Sequence, residues 1–425
     1  MTPSHLWHGF ADMSVIRDAP PFTIARGEGP YLFDAQGRRY LDAAAGLWFC
    51  NIGHGRREVA DAAQKQMSLL AAYSTFGDYT NEPIERLATR LAALSPTDGA
   101  SCFFSNGGSD SVDSAIKLVR RYWRGLGEPQ RRVILSRTNA YHGGHMGSTG
   151  VGGISVDREG FGELIGDTAR VEWDSIEDLE KTIANLGAER VAAFIMEPVI
   201  AAGGCLFPPE GYLEKVAEIC GRHGIILVVD EVVTGFGRVG DWFASRRFGL
   251  VPDIIVCAKG ITSGYMPLGA LIAGDRVARP FYDGTIGAVN HGYTYSGHAA
   301  GAAVAMTVMD IIEREELAAN SLALEAALPE LMRPLTEHPM VHQVRTGQGL
   351  MAAVELLPDV VRTDPRAGNT IALLLRDFGV LTRSLVGGQI QFSPPLTVGA
   401  AHVREFVSAV VASLDAYSQR GIGAS

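Results

Sequence analysis

The sequence lacks the marks of a nucleic-acid binder, a membrane protein or a disulfide-stapled domain. Basic residues are in the minority, 37 Lys and Arg against 47 Asp and Glu, for a formal net charge of −10. A protein that neutralises a phosphate backbone needs a basic face, so this balance argues against such a partner. No apolar run approaches the ~20 residues that span a bilayer. Met1 to Met13 holds no basic stretch followed by an apolar one, so a cytoplasmic location is expected. The cysteines, Cys50, Cys102, Cys205, Cys220 and Cys257, are scattered, odd in number and form no Cys-x-x-Cys pair. Structural zinc and a disulfide framework are therefore not expected. Internal repeats and low-complexity linkers are absent as well.

What is present suits a globular enzyme. The apolar share of 47% and the charged share of 20% allow a sizeable core and leave little room for long disordered tails. At roughly 150 residues per domain, 425 residues make two or three domains, or one large α/β core with a satellite. Tyr31-Leu-Phe-Asp34 and Arg39-Tyr-Leu-Asp42 flank Gln36-Gly37 as a small hairpin would. From about Arg57 the spacing turns helical, with Val59, Ala62, Ala63, Gln66, Met67 and Leu70 in step. Short continuous apolar runs follow at Ser101–Phe104, Arg132–Leu135, Val191–Met196, Ile225–Val229 and Asp253–Cys257. Such runs predict strands covered on both faces, in a mostly parallel sheet flanked by helices. After about Ile311 a separate α+β unit is expected, with a helix through Leu324 and Leu328 and strands at Met351–Glu355 and Gln389–Phe392.

Each apolar run in the middle of the chain ends on polar or glycine residues. In open α/β sheets ligands gather beyond the carboxyl ends of the strands, so these tips are candidates for one shared site. Asp230 ends a buried strand, where an unpaired carboxylate costs several kcal/mol, so a cation must face it. A structural ion pair with an arginine or lysine is the ordinary reading. A later strand delivers Lys259 before Gly260. Burial lowers a lysine's pKa from ~10.4 and frees its amine as a nucleophile, although a structural role is again the ordinary one. Ser105-Asn-Gly-Gly-Ser-Asp-Ser-Val-Asp113 follows a strand and opens a helix in which Val112, Ala115, Ile116 and Val119 keep helical step. The free N–H groups of such a turn hold an anion. It lacks the Gly-Lys-Ser/Thr of a nucleotide P-loop and suits a single phosphate ester better than a triphosphate. His142 and His145 share a glycine-rich turn with no third ligand nearby, so packing is preferred to metal binding. His54 and His298, in other glycine-rich turns, are expected to be hydrogen-bonders.

Taken in order, Ser105-Asn-Gly-Gly-Ser-Asp110, Tyr141-His142-Gly143, Glu197-Pro198, Asp230-Glu231 through Gly235-Phe-Gly-Arg238, Lys259-Gly260 and His291-Gly-Tyr-Thr-Tyr-Ser-Gly-His298 form a set. That set resembles the class III aminotransferases, the fold-type-I family that uses pyridoxal 5'-phosphate (PLP), and within it the omega-transaminases of the amine:pyruvate type. It covers the chain from about Leu6 to Pro395. The resemblance implies a PLP-dependent transferase α/β fold: a large domain over 57–310 and a smaller α+β domain built from both termini, 1–56 and 311–425. It implies that Lys259 holds PLP as a Schiff base and that Asp230 pairs with the ring nitrogen. Gly108 and Ser109 are then expected to bind the phosphate, with Thr294 reaching it from a neighbouring subunit of a homodimer. Tyr141 and Val232 are expected on the two ring faces, and His142 and Glu197 beside the cofactor. The phosphate turn reads Gly107-Gly108-Ser109-Asp110 where the family usually has Ser-Gly-Ser-Glu.

The same resemblance implies a ping-pong exchange between an amine donor and a keto acid, in which the freed Lys259 moves the proton. Arg383 matches an arginine that binds the acceptor's carboxylate and swings away for apolar amines, although Val386-Gly387-Gly388 makes the following turn one residue longer than usual. Ala202 stands where the GABA and ornithine aminotransferases carry a glutamate that neutralises this arginine, which favours the amine:pyruvate type. Trp48 matches a pocket tryptophan, and Phe10 and Phe76 are expected to add apolar wall. An aminomutase or a decarboxylase would share Lys259, Asp230 and the phosphate cup, and stoichiometry separates them.

Overall fold

The apolar runs form strands because each is too short and too uniformly apolar for an amphipathic helix and is covered on both faces. The computed structural model describes residues 5–16 and 22–419. Near the start, β1 (Ile24–Glu28), β2 (Tyr31–Asp34) and β3 (Arg39–Asp42) make an antiparallel meander that contains the expected hairpin. The centre is a seven-stranded sheet built from β4 (Ser101–Ser105), β5 (Val133–Arg137), β6 (Thr168–Val171), β7 (Val191–Met196), β8 (Ile226–Asp230), β9 (Ile254–Cys257) and β10 (Gly269–Ala273). Its spatial order is β4-β10-β9-β8-β7-β5-β6.

Strands β9, β8, β7, β5 and β6 run parallel, and β10 lies antiparallel to both β9 and β4. Two reversals restore direction, so β4 points the same way as β9. The carboxyl ends of β4, β7, β8 and β9 therefore share one edge. Alternate residues of a strand face opposite sides of the sheet. Val228 and Ile226 join Val112, Ile116 and Val119 of the helix Gly108–Gly125, while Leu227 and Val229 join Val216 and Ile219 of the helix Tyr212–His223.

Beyond this sheet come β11 (Val341–Thr346), β12 (Ala352–Leu356), β13 (Val380–Leu381) and β14 (Ile390–Phe392). Strands β11, β12 and β14 form a three-stranded antiparallel sheet. β13 instead pairs in parallel with β3, Val380 opposite Leu41 and Leu381 opposite Asp42, so a late segment completes the sheet begun by the first strands. The 56/57 division falls at the start of the helix Arg57–Leu69, whereas 310/311 falls inside the helix Ala299–Arg314. Among the described residues no helix is long and apolar enough to cross a membrane.

Candidate active site

Strand β8 ends on Asp230 and β9 runs beside it with Val256 opposite, so Lys259 lies just past the same sheet edge. Lys259 adopts φ +46°, in the left-handed region that favours glycine. Burial lowers its pKa from the ordinary lysine value, against the opposing pull of Asp230 and Glu197, which raises the share of neutral, nucleophilic amine. Asp230 is buried and held from two sides: His142 Nδ1 lies 2.8 Å from Oδ2, and the Val232 backbone N–H donates to Oδ1 at 3.1 Å. An ionised carboxylate only accepts, so His142 carries its proton on Nδ1 in this contact. The buried His142 Nε2 has no partner among the described residues. Glu197, at the tip of β7, accepts the N–H groups of Tyr141 at 2.9 Å and Ala201 at 3.1 Å, and burial pushes its carboxyl up.

The phosphate turn forms where β4 feeds the helix Gly108–Gly125. A Cβ on Gly108 would stand 3.0 Å from Val232 Cγ1, and one on Gly143 would stand 2.5 Å from Ser109 Oγ. Close approach thus requires glycine at Gly143, while a Cβ at Gly108 would need Val232 to give way by a few tenths of an ångström. Ser109 Oγ accepts from the Gly144 N–H at 3.0 Å, which ties the two glycine turns together. Each histidine of the second turn has its own carboxylate: His142 contacts Asp230, and His145 Nε2 lies 2.6 Å from Asp110 Oδ1. His54 Nε2 lies 2.8 Å from Asp42 Oδ2, and His298 Nδ1 accepts from Gly301 N–H at 3.2 Å.

These tips surround a cavity of ≈ 730 Å³. Gly108, Ser109, Tyr141, His142, Glu197, Asp230, Val232 and Lys259 line its floor; Phe10, Trp48, Ala202 and Arg383 line the rest. Arg383 follows β13, and the pairing of β13 with β3 carries it to Trp48, with its guanidinium carbon 5.2 Å from the ring centroid. Lys259 Nζ lies 5.9 Å from the same ring. Burial lowers the Arg383 pKa, countered by Tyr141 and Asp157. The donor set fits a flat aromatic ring with a basic nitrogen, an aldehyde and a phosphate. It offers a buried carboxylate, a buried amine of lowered pKa and a helix N-terminus around one slot.

The whole arrangement agrees with a family model, Aminotransferase class-III, that matches residues 13–414. The chain belongs to the class-III aminotransferases. The putrescine–pyruvate aminotransferase of Pseudomonas aeruginosa is 35% identical over 96% of this chain and 93% of its own. A transaminase from the marine bacterium Virgibacillus has TM-score 0.94 at 35% identity, with 98% of each chain covered. An amine transaminase from an uncultivated Pseudomonas, solved with PLP bound, has TM-score 0.90 at 40% identity, covering 98% of this chain and 99% of that one. This aminotransferase therefore uses PLP and has the fold-type-I architecture, and it transfers an amino group between an amine donor and a keto-acid acceptor.

Phe76, expected in the pocket wall, lies outside the aminotransferase's cavity, and so does Thr294, expected at the site of a neighbouring subunit. Phe76 is 52% exposed and lines a second, open cavity of ≈ 1220 Å³ with Tyr79, Tyr282 and His291. Thr294 is exposed and lines neither cavity. The reason is chain direction: residues 71–80 and 289–296 pack against each other on the flank beyond β4, with Thr75 Oγ1 donating to Ser296 O at 3.2 Å. Phe10 reaches the cavity at φ +52° but is 86% exposed, so it forms a rim and not a packed wall. Sequence reasoning missed Leu47, Ile154 and Asp157, which also line the cavity. Ile154 and Asp157 lie where no periodicity or motif marks them, whereas Leu47 precedes Trp48 in the short helix Ala45–Trp48, and that neighbour was its only signal.

Proposed function

We propose that this aminotransferase takes amino groups from primary amines or omega-amino compounds and passes them to a small keto acid, pyruvate foremost, in two half-reactions at one site. One observation carries this reading. Arg383 faces the cavity beside Trp48, the uncharged Ala202 replaces a fixed counter-charge, and Leu47, Ile154 and Leu385 make the surroundings apolar. Such an end accepts a hydrocarbon tail and also holds one carboxylate through a guanidinium fork.

When bound, PLP supplies a pyridinium ring that withdraws electrons from the carbon bearing the amino group. Gly108 and Ser109 would hold its phosphate through backbone N–H and hydroxyl at the helix N-terminus, and Tyr141 and Val232 would bracket the ring. Asp230 would pair with the ring nitrogen, and His142 and the Val232 N–H fix that carboxylate while leaving it lone pairs for the task. Glu197 orders the Tyr141 backbone and adds negative charge beside Asp230. Lys259 would hold the cofactor covalently and, when its Nζ is free, would be the general base that carries the substrate's α-proton, burial having lowered its pKa from the ordinary lysine value. Thr294 and Phe76, exposed on this chain, serve the site of a second copy in a homodimer.

The test is the rate of cofactor reduction to its amino form in the first half-reaction, with 1-phenylethylamine and with GABA as donors. The reading expects 1-phenylethylamine to have a kcat/KM at least about tenfold above GABA. A strong preference for GABA refutes the apolar-amine reading of the Arg383 end and the argument from Ala202.

A further inference from the structure

One acidic side chain of the cavity has no task in the reaction above. Asp157, on the short turn Val156–Arg158, lines the same space as Arg383, Trp48 and Leu385. It is half-buried, and no described residue makes a hydrogen bond or ion pair with its carboxylate or with the Arg383 guanidinium. The two charges still feel one another. Burial raises the Asp157 pKa and Arg383 draws it back; burial lowers the Arg383 pKa and Asp157 opposes that. A guanidinium on a flexible stem ordinarily closes on the nearest carboxylate. Here it lies by the Trp48 ring instead, with its fork free.

The two substrates place opposite demands on this end of the cavity. A keto acid brings a carboxylate, which satisfies Arg383. An amine with a hydrocarbon tail brings nothing, and a desolvated cation left against apolar atoms opposes its binding. Ala202 cannot relieve that charge, having no carboxylate of its own. Asp157 can, because its carboxylate lines the same cavity and has no partner among the described residues.

We propose that Asp157 is the alternate partner of Arg383: in the amine half-reaction the guanidinium swings from Trp48 onto Asp157, and in the keto-acid half-reaction it returns to the substrate carboxylate. Asp157 is thus a specificity-determining residue that lets one arginine serve both substrates. This inference rests on the donor and acceptor classes proposed above.

The test uses the PLP-loaded enzyme, with D157N, R383A and the double variant, in half-reactions with 1-phenylethylamine and with alanine. D157N is expected to lower kcat/KM for 1-phenylethylamine about tenfold, while alanine, whose carboxylate engages Arg383 itself, changes less than about twofold. In the R383A background D157N is expected to add no further loss, because the charge it relieves is gone. Calorimetric titration with 3-phenylpropanoate supplies a readout without turnover. D157N is expected to bind this carboxylate about threefold more tightly than the parent, the competing partner having been removed. Equal losses on both amines, or a loss that persists without Arg383, overturns the proposal. In a third half-reaction with putrescine, a D157N loss confined to that donor, with 1-phenylethylamine unchanged, also overturns it and assigns Asp157 to a donor's distal ammonium. A parent enzyme inactive with both amines instead sinks the donor class proposed above, and this inference falls with it.

Discussion

Lys259 is held in a conformation that costs a non-glycine residue ~1–3 kcal/mol, and it persists because β9 on one side and β10 on the other anchor the turn. The strain aims the side chain into the cavity, where loss of hydration disfavours its charged form more than Asp230 and Glu197 restore it. At this site the folded chain binds fewer protons than the unfolded chain between the lowered pKa and the ordinary 10.5. The cost of burying the ammonium is therefore felt in full below the lowered value and fades as pH rises to 10.5. Trace acetylation of the cofactor-free protein across pH, read residue by residue by mass spectrometry, should give Lys259 a midpoint below 10.5. A midpoint at or above that value contradicts the burial argument.

At the scale of elements, the helix Gly108–Gly125 does two jobs with two ends. Its first turn forms the proposed phosphate cup, and its buried stripe of Val112, Ile116 and Val119 locks it to Val256 and Leu271 on the sheet. Truncating Ile116 to alanine should destabilise the protein by ~2–5 kcal/mol through the cavity it leaves. It should also weaken PLP binding by letting the first turn shift. Chemical denaturation and a cofactor titration on the same variant check both, and a stability loss with unchanged PLP affinity would separate the two ends.

The five short apolar runs and the polar residues at their tips were legible in the sequence, since each run is continuously apolar but for its first residue at most and each tip breaks it sharply. β10 and β6 were not. Gly269–Ala273 is rich in glycine and alanine, poor strand formers, and becomes a strand only by pairing on both sides. Thr168–Val171 is a short edge strand, and its Arg170 reaches back to the carbonyls of Gly150 and Gly152. The site followed the same rule: Lys259, Asp230 and the cup stood out as motif residues on strand tips. Asp157 did not, because only the folding of its loop brings it near Arg383. The contact of His142 with Asp230 likewise links residues distant in sequence, so no local pattern announces it.

For the whole molecule, the flank beyond β4 exposes more aromatic surface than a monomer needs. Tyr73, Phe76, Tyr79, Tyr282 and Tyr295 are each more than half exposed, around the second cavity. Concentrated aromatic exposure marks an association surface. The proposed homodimer places this flank against a second copy, so light scattering should give twice the chain mass. Phe76→Glu should shift the protein toward monomer and lower cofactor occupancy together. A fully active monomer would contradict the shared-site reading.

The two reversals that bring β4 into line with β9 also set a distance along the chain. The lysine and the cup lie far apart in sequence but are neighbours at one edge, with β10 wedged between their strands. A single small molecule held at both points, as proposed for PLP, would act as a clasp across that wedge and close a very long loop of polypeptide. Losing it removes more than a reagent: the fastening between the outer strand and the parallel core goes with it, so heat resistance should track how fully the protein is charged with its vitamin.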